Sequence, residues 1–94
     1  MVLKEKWDAD LKAAMLAKKD VVRDTLRLLL ADIKKANVQE GKEITPELEM
    51  EVLQRAVKQR QQSIAEYDKA ARADLSAKER AELDVLLQYM PKQM

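Results

Sequence analysis

The chain has 94 residues, 47% of them hydrophobic and 37% charged, with one Gly, two Pro, no Cys, no His and a net charge of +1. That length holds one domain with one modest core, and the missing Cys and His exclude a disulfide scaffold, thiol chemistry and His/Cys metal centres. A near-zero net charge excludes nucleic-acid binding by bulk charge, so any RNA contact has to come from a local basic patch.

The longest apolar run is Ala13 to Ala17, far too short to span a membrane. No apolar stretch follows the charged residues after Met1, so no signal peptide is expected. The absence of Cys suits a reducing compartment, and the expectation is a cytoplasmic protein with no membrane, metal or cofactor partner.

Four helices are predicted. The first runs from about Leu3 to Lys18, where Leu3, Trp7, Leu11 and Ala14 recur at helical spacing on one face. The second begins with Asp20 as N-cap, a side chain that can accept a bond from a free backbone N–H of the first turn. Its stripe is Val22, Leu26, Leu29, Ile33 and Ala36, widened by Leu28 and Leu30, which makes it the central helix. Glu40-Gly41 ends it, since Gly takes the left-handed conformation at C′ without a Cβ penalty.

Thr45-Pro46-Glu47 opens the third helix. Thr is a good N-cap, Pro at N1 lacks an N–H that would be unpaired anyway, and Glu47 and Glu49 favour the positive end of the helix dipole. The pattern runs to about Ala71, roughly 39 Å at ~1.5 Å per residue. Met50, Leu53, Val57, Ile64, Tyr67 and Ala71 make its inner stripe, at a period suited to antiparallel bundle packing. Ser76 and Glu79 read as a capping box that starts the fourth helix. Leu83, Leu86, Leu87 and Met90 form its apolar face, and Pro91 marks its end. No strand pattern or internal repeat is present. The fold class is all-α: a four-helix, antiparallel, bundle-like domain with a long third helix.

Little chemistry is on offer. Without His the commonest general base is missing, and a lone Gly makes no phosphate-binding loop. Ser63 and Ser76 are the only serines; Ser76 reads as a cap, and Ser63 has no base nearby in sequence. Glu47/Glu51 and Glu79/Glu82 sit at helical-neighbour spacings, the usual sign of solvated faces or dipole partners. No catalytic residue and no metal ligand is assigned.

One segment stands out. From Val52 to Ala65 there is no acid, while Arg55, Lys58 and Arg60 are joined by four glutamines. Arg55, Lys58 and Gln62 share one side of the helix and form a ridge that can follow a sugar-phosphate backbone; the competing reading is an ordinary solvated face. Arg60 falls in the inner stripe between Val57 and Ile64. It is either held in a groove to meet phosphate, or its stem packs on the bundle and its head reaches an acid at the edge. On the second helix Arg23, Arg27 and Lys34 share a side, with Asp20 and Asp24 placed to neutralise part of that charge. Trp7 and Tyr67 can stack bases, but each occupies a core-facing position.

The segments VKQRQQSIAEYDKA, ARADL and AELDVLLQYMPKQ resemble the GatB/YqeY family: free-standing YqeY-like proteins and the tail of the B subunit of tRNA-dependent amidotransferases. TLRLLLADIKKANV and ITPE on the second and third helices agree. The resemblance spans roughly Leu3 to Gln93. It implies an all-helical fold and an association with tRNA and its glutamine-dependent amidation, a carbon-nitrogen ligase reaction carried out elsewhere in the complex. By motif it carries over Arg27, Lys34, Lys58, Gln59, Arg60, Ser63 and Arg72, none as catalytic.

The sequence departs from the family in two places. Ala71 stands where the family usually has Gly before the Arg of a turn, and a left-handed Ala costs of order 1 kcal/mol more than Gly, so a differently shaped turn is expected. The family also continues into a further helical module after Leu-Pro-x-Gln, so residues 1–94 read as the N-terminal part of a YqeY-like domain. The expected function is a non-catalytic helical module associated with tRNA, its RNA candidates being Arg27, Lys34, Arg55, Lys58, Arg60, Gln62 and Arg72. The alternative is a protein-interaction module without RNA binding.

Overall fold

The computed structural model describes residues 2–90, with side chains from residue 4 onward. Four helices account for nearly all of it: α1 (Val2–Leu16), α2 (Asp20–Val38), α3 (Pro46–Lys69) and α4 (Ala73–Leu87). The α1–α2 and α3–α4 turns are three residues long, so each pair folds back as an antiparallel hairpin, and these two pairs make the most extensive contacts. The all-α bundle with a long third helix is therefore as expected.

Local chemistry explains where the helices start and stop. The Thr45 side chain accepts a bond from Leu48 N–H at 3.1 Å, with Pro46 at N1. Gly41 has φ of 70° just past α2, as expected of a left-handed Gly, although the helix stops at Val38 and Gln39 is its C-cap. Lys18 and Ala71 take the same conformation, each with φ of 57°. In both, the next residue's N–H reaches back over the last turn: Lys19 to the Ala14 carbonyl and Arg72 to the Tyr67 carbonyl, at 2.9 Å. These are Schellman closures. Ala71 thus adopts a left-handed Schellman turn of the kind that Gly favours, despite its Cβ.

Two expected caps do not form. Asp20 lies inside α2, whose N-cap is Lys19 without a side-chain bond. Ser76 lies in the interior of α4, which starts at Ala73. Because the turn at Ala71 lets the chain re-enter a helix at once, Ser76 has no free N–H to cap; its hydroxyl donates instead to Asp68 at 2.6 Å. Arg80 joins them, 2.7 Å from Asp68, so the bond that was expected to start α4 ties α4 to the end of α3. Pro91, expected to end α4, lies outside the described residues.

The core joins Trp7, Leu26, Leu29, Ile33, Ala36, Leu48, Val52, Leu53, Ala56, Val57 and Leu86. The α2 stripe holds except for Val22, which is half-buried, while Leu28 is half-exposed. On α3 the buried face also takes Leu48, Val52 and Ala56, whereas Ala71 is exposed. On α4 Val85 is buried and Leu87 exposed. Trp7 meets Tyr89 edge to face at 6.3 Å, and the Tyr89 hydroxyl donates to Asp10 at 2.6 Å. Burial, and then that carboxylate, push the Tyr89 hydroxyl far above its usual range.

Glu49 is buried although it is charged. Its carboxylate accepts the Lys4 backbone N–H at 2.8 Å. A side chain in the first turn of α3 therefore satisfies a donor that the start of α1 leaves open.

Candidate nucleic-acid interface

Thr45 and Pro46 launch α3 straight through the Val52–Ala65 segment. The buried residues Val52, Leu53, Ala56 and Val57 turn one side to the core, which leaves Arg55, Lys58 and Gln62 on the opposite, solvent side. The ridge exists as a row of exposed side chains. Arg55 is engaged at one end, 3.1 Å from Glu51 one turn earlier. Glu51 is also 3.6 Å from Lys42. Pairs this exposed are worth ~0.2–1 kcal/mol, so Arg55 is easily released to a phosphate. Lys58 has no acid within ion-pair distance among the described residues.

On α2, Arg27 and Lys34 are exposed and likewise unpaired among the described residues. Arg23 is held by Asp24 at 2.9 Å and Asp20 at 3.3 Å. Arg27 and Lys34 lie on the solvent side of α2, whose stripe faces the core shared with α3. The two basic rows are carried on different helices and turn away from the core those helices share. Arg72 sits apart, in the α3–α4 turn, 3.4 Å from Asp74.

Arg60 is withdrawn from this surface. Its side chain is 14% exposed, and its Nε lies 2.8 Å from Glu82 and 3.4 Å from Glu79, both on α4. The N–H is aligned with neither oxygen as a hydrogen bond, so the contact is ionic. Of the two readings of Arg60, the structure has the one in which the head reaches acids at the edge of the bundle. It also corrects the reading of Glu79 and Glu82: they are not a solvated face but the 19%- and 13%-exposed partners of Arg60. Burial and the neighbouring Glu82 raise Glu79 above the usual carboxylate range, against the pull of Arg60.

A signal for that cluster was present. Glu79, Glu82 and Leu86 follow at spacings of three and four, so the two acids continue the inward face that Leu86 defines. Arg60 is the charge on the facing stripe of α3 between Val57 and Ile64. Of the aromatics, Trp7 is fully buried and offers no face to a base, while Tyr67 is half-buried. Between α2 and α3 a cleft of about 130 Å³, lined by Thr25, Leu28, Asp32 and Gln59 among others, is well below the ~300–1,000 Å³ of usual small-molecule sites. Among the described residues no cluster of His, Cys, Asp or Glu could hold a metal ion, and no helix is long and apolar enough to cross a membrane.

Fold and surface together define a small helical module with exposed basic side chains on α2 and α3. The chain belongs to the family described as Yqey-like protein, which matches residues 4–94. It is 34% identical over 80 residues to an uncharacterised protein of Schizosaccharomyces pombe, covering 84% of this chain and 64% of that protein. It is 36% identical over 81 residues to altered inheritance of mitochondria protein 41, mitochondrial, of Clavispora lusitaniae, covering 86% of this chain and 47% of that protein. The Lachancea thermotolerans protein of the same name is 34% identical, with 86% and 44% covered. The chain thus spans about half to two thirds of the length of these relatives. The mitochondrial names of the Clavispora and Lachancea proteins overturn the expectation of a cytoplasmic protein. The absence of Cys suits any reducing compartment and cannot choose between them.

Proposed function

We propose that this chain is a non-catalytic helical module that associates with tRNA, in the setting of tRNA-dependent amidation to which the resemblance points. The observation that carries the reading is the outer ridge of α3. Arg55, Lys58 and Gln62 are exposed on one side of a 24-residue helix, and no acid interrupts the chain from Val52 to Ala65. A rigid row of donors at one-turn intervals suits a sugar-phosphate backbone, which fixes position without reading sequence. Arg27 and Lys34, on the other helix, form a secondary contact.

The test is a gel-shift series with Arg55→Glu and Lys58→Glu combined. The variant is expected to lose tRNA retention while its far-UV circular dichroism is unchanged. Retention equal to that of the parent chain sinks the assignment of the ridge.

The alternative, a protein-interaction module without RNA binding, is favoured by one observation: Met15 and Leu16, at the end of α1, are 50% and 83% exposed.

A further inference from the structure

Trp7 and Ala14 bury one side of α1. The opposite side carries Glu5, Asp8, Ala9, Lys12, Met15 and Leu16, at the three- and four-residue spacings of a single helix face. All six are exposed, and most of them line a shallow, largely apolar groove. Ala9, Met15 and Leu16 give this charged face an apolar component that a partner can cover.

The charges on the stripe say which partner. Its acids, Glu5 and Asp8, lie in the N-terminal half and its base, Lys12, in the C-terminal half. Glu5 and Lys12 have no ion-pair partner among the described residues. They are seven residues apart, ~10 Å along the helix, too far to meet each other. A second α1 laid antiparallel across the first places its Lys12 against Glu5 and against Asp8, whose exposed pair with Lys4 at 3.1 Å is weak enough to be exchanged, and the same contact recurs by symmetry. Ala9, near the crossing, lets the helices approach closely. A parallel pairing sets acid on acid and base on base. Such a two-fold contact, where one patch meets itself, is the commonest closed arrangement of identical chains.

We propose that the outer face of α1 pairs two copies of this chain antiparallel, with Lys12 of each copy between Glu5 and Asp8 of the other. The inference is independent of RNA binding. One helix face is smaller than the ~800 Å² per partner of a standard stable interface, so the pair is weak and forms with rising concentration.

The test is sedimentation equilibrium of the full chain, without nucleic acid, from low micromolar to near-millimolar concentration. The mean mass is expected to climb from one chain towards two. Leu16→Glu and Lys12→Glu each hold it at one chain, as does Glu5→Lys with Asp8→Lys. All change exposed side chains, and circular dichroism checks that the helices persist. Mixing Lys12→Glu with the Glu5→Lys/Asp8→Lys variant restores both contacts and recovers the two-chain mass. A parent chain that stays single throughout overturns the proposal. So does a pair unaffected by Lys12→Glu and Leu16→Glu, or a mixture of folded charge variants that fails to associate.

Discussion

Arg60 on α3 reaches Glu82 on α4, its Nε 2.8 Å from that carboxylate, with Glu79 a further partner at 3.4 Å. One cation faces two mostly buried carboxyl groups where α4 packs on α3. Removing Arg60 leaves both acids buried without a counter-charge, which costs more than the ion pair itself contributes.

Arg60→Leu is therefore expected to destabilise the fold by roughly 3 kcal/mol, the lower end of the range for breaking a buried pair. For a domain of this size each 1 kcal/mol lowers the thermal midpoint by about 4–8 °C. Adding Glu79→Gln and Glu82→Gln should recover much of the loss, because the stranded charges go with it. Thermal melts of the single and triple variants check both statements.

The same cluster sets a pH dependence. Glu79 is raised in the folded chain, mainly by burial and by Glu82. Its contribution to stability is fully present below the unfolded value and is lost as pH rises through the folded value. Glu79→Gln is accordingly expected to be more stable than the parent chain at neutral pH. The advantage should shrink on acidification toward the ordinary glutamate range. Urea unfolding at several pH values measures the crossover; an advantage that persists below that range contradicts it.

Ala71 and Lys18 hold left-handed backbone with a Cβ present. Ala71→Gly is expected to stabilise by about 1 kcal/mol, since Gly enters that region at no steric cost. Gly41→Ala should do the opposite: the space around Gly41 is open, so strain at φ of 70° decides the sign. Chemical denaturation of the two variants checks the pair.

Glu49 ties the first turn of α3 to the start of α1 through Lys4 N–H. Glu49→Ala should cost about 2 kcal/mol, as expected for losing a charge-assisted bond at a buried site. Glu49→Gln, which keeps an acceptor, should cost less. Hydrogen exchange at the Lys4 amide is the specific readout, and it should speed up in Glu49→Ala more than exchange in α2.

Much of this architecture was legible because the sequence and the local chemistry agree. Thr45-Pro46 marks its helix start through a hydroxyl cap and a missing N–H, both local. The α2 stripe needs only periodicity. Ser76 misled because a Ser-x-x-Glu pattern caps a helix only where backbone N–H groups are free, and the turn at Ala71 had already restarted the helix before it. Lys18 carried no warning, since without Gly nothing in the residue type announces a left-handed C′. Arg60 was visible as a charge out of place, and Glu79 and Glu82 as acids in line with Leu86; that they meet one another follows only when α4 is placed against α3. The ridge of Arg55, Lys58 and Gln62 was read from spacing alone, because exposure on one side of a helix follows from burial on the other. That Glu51 engages Arg55 follows from the same spacing, one turn outside the acid-free segment.

The central claim is tested most directly by tRNA binding to the parent chain, followed by fluorescence anisotropy over a series of salt concentrations. The account predicts saturable binding that weakens as salt rises, with a log–log slope of about −2 to −3 for two to three phosphate contacts, and a shallower slope when Lys58 is replaced by Gln. No binding at low salt, or binding indifferent to salt and to Lys58, would contradict it.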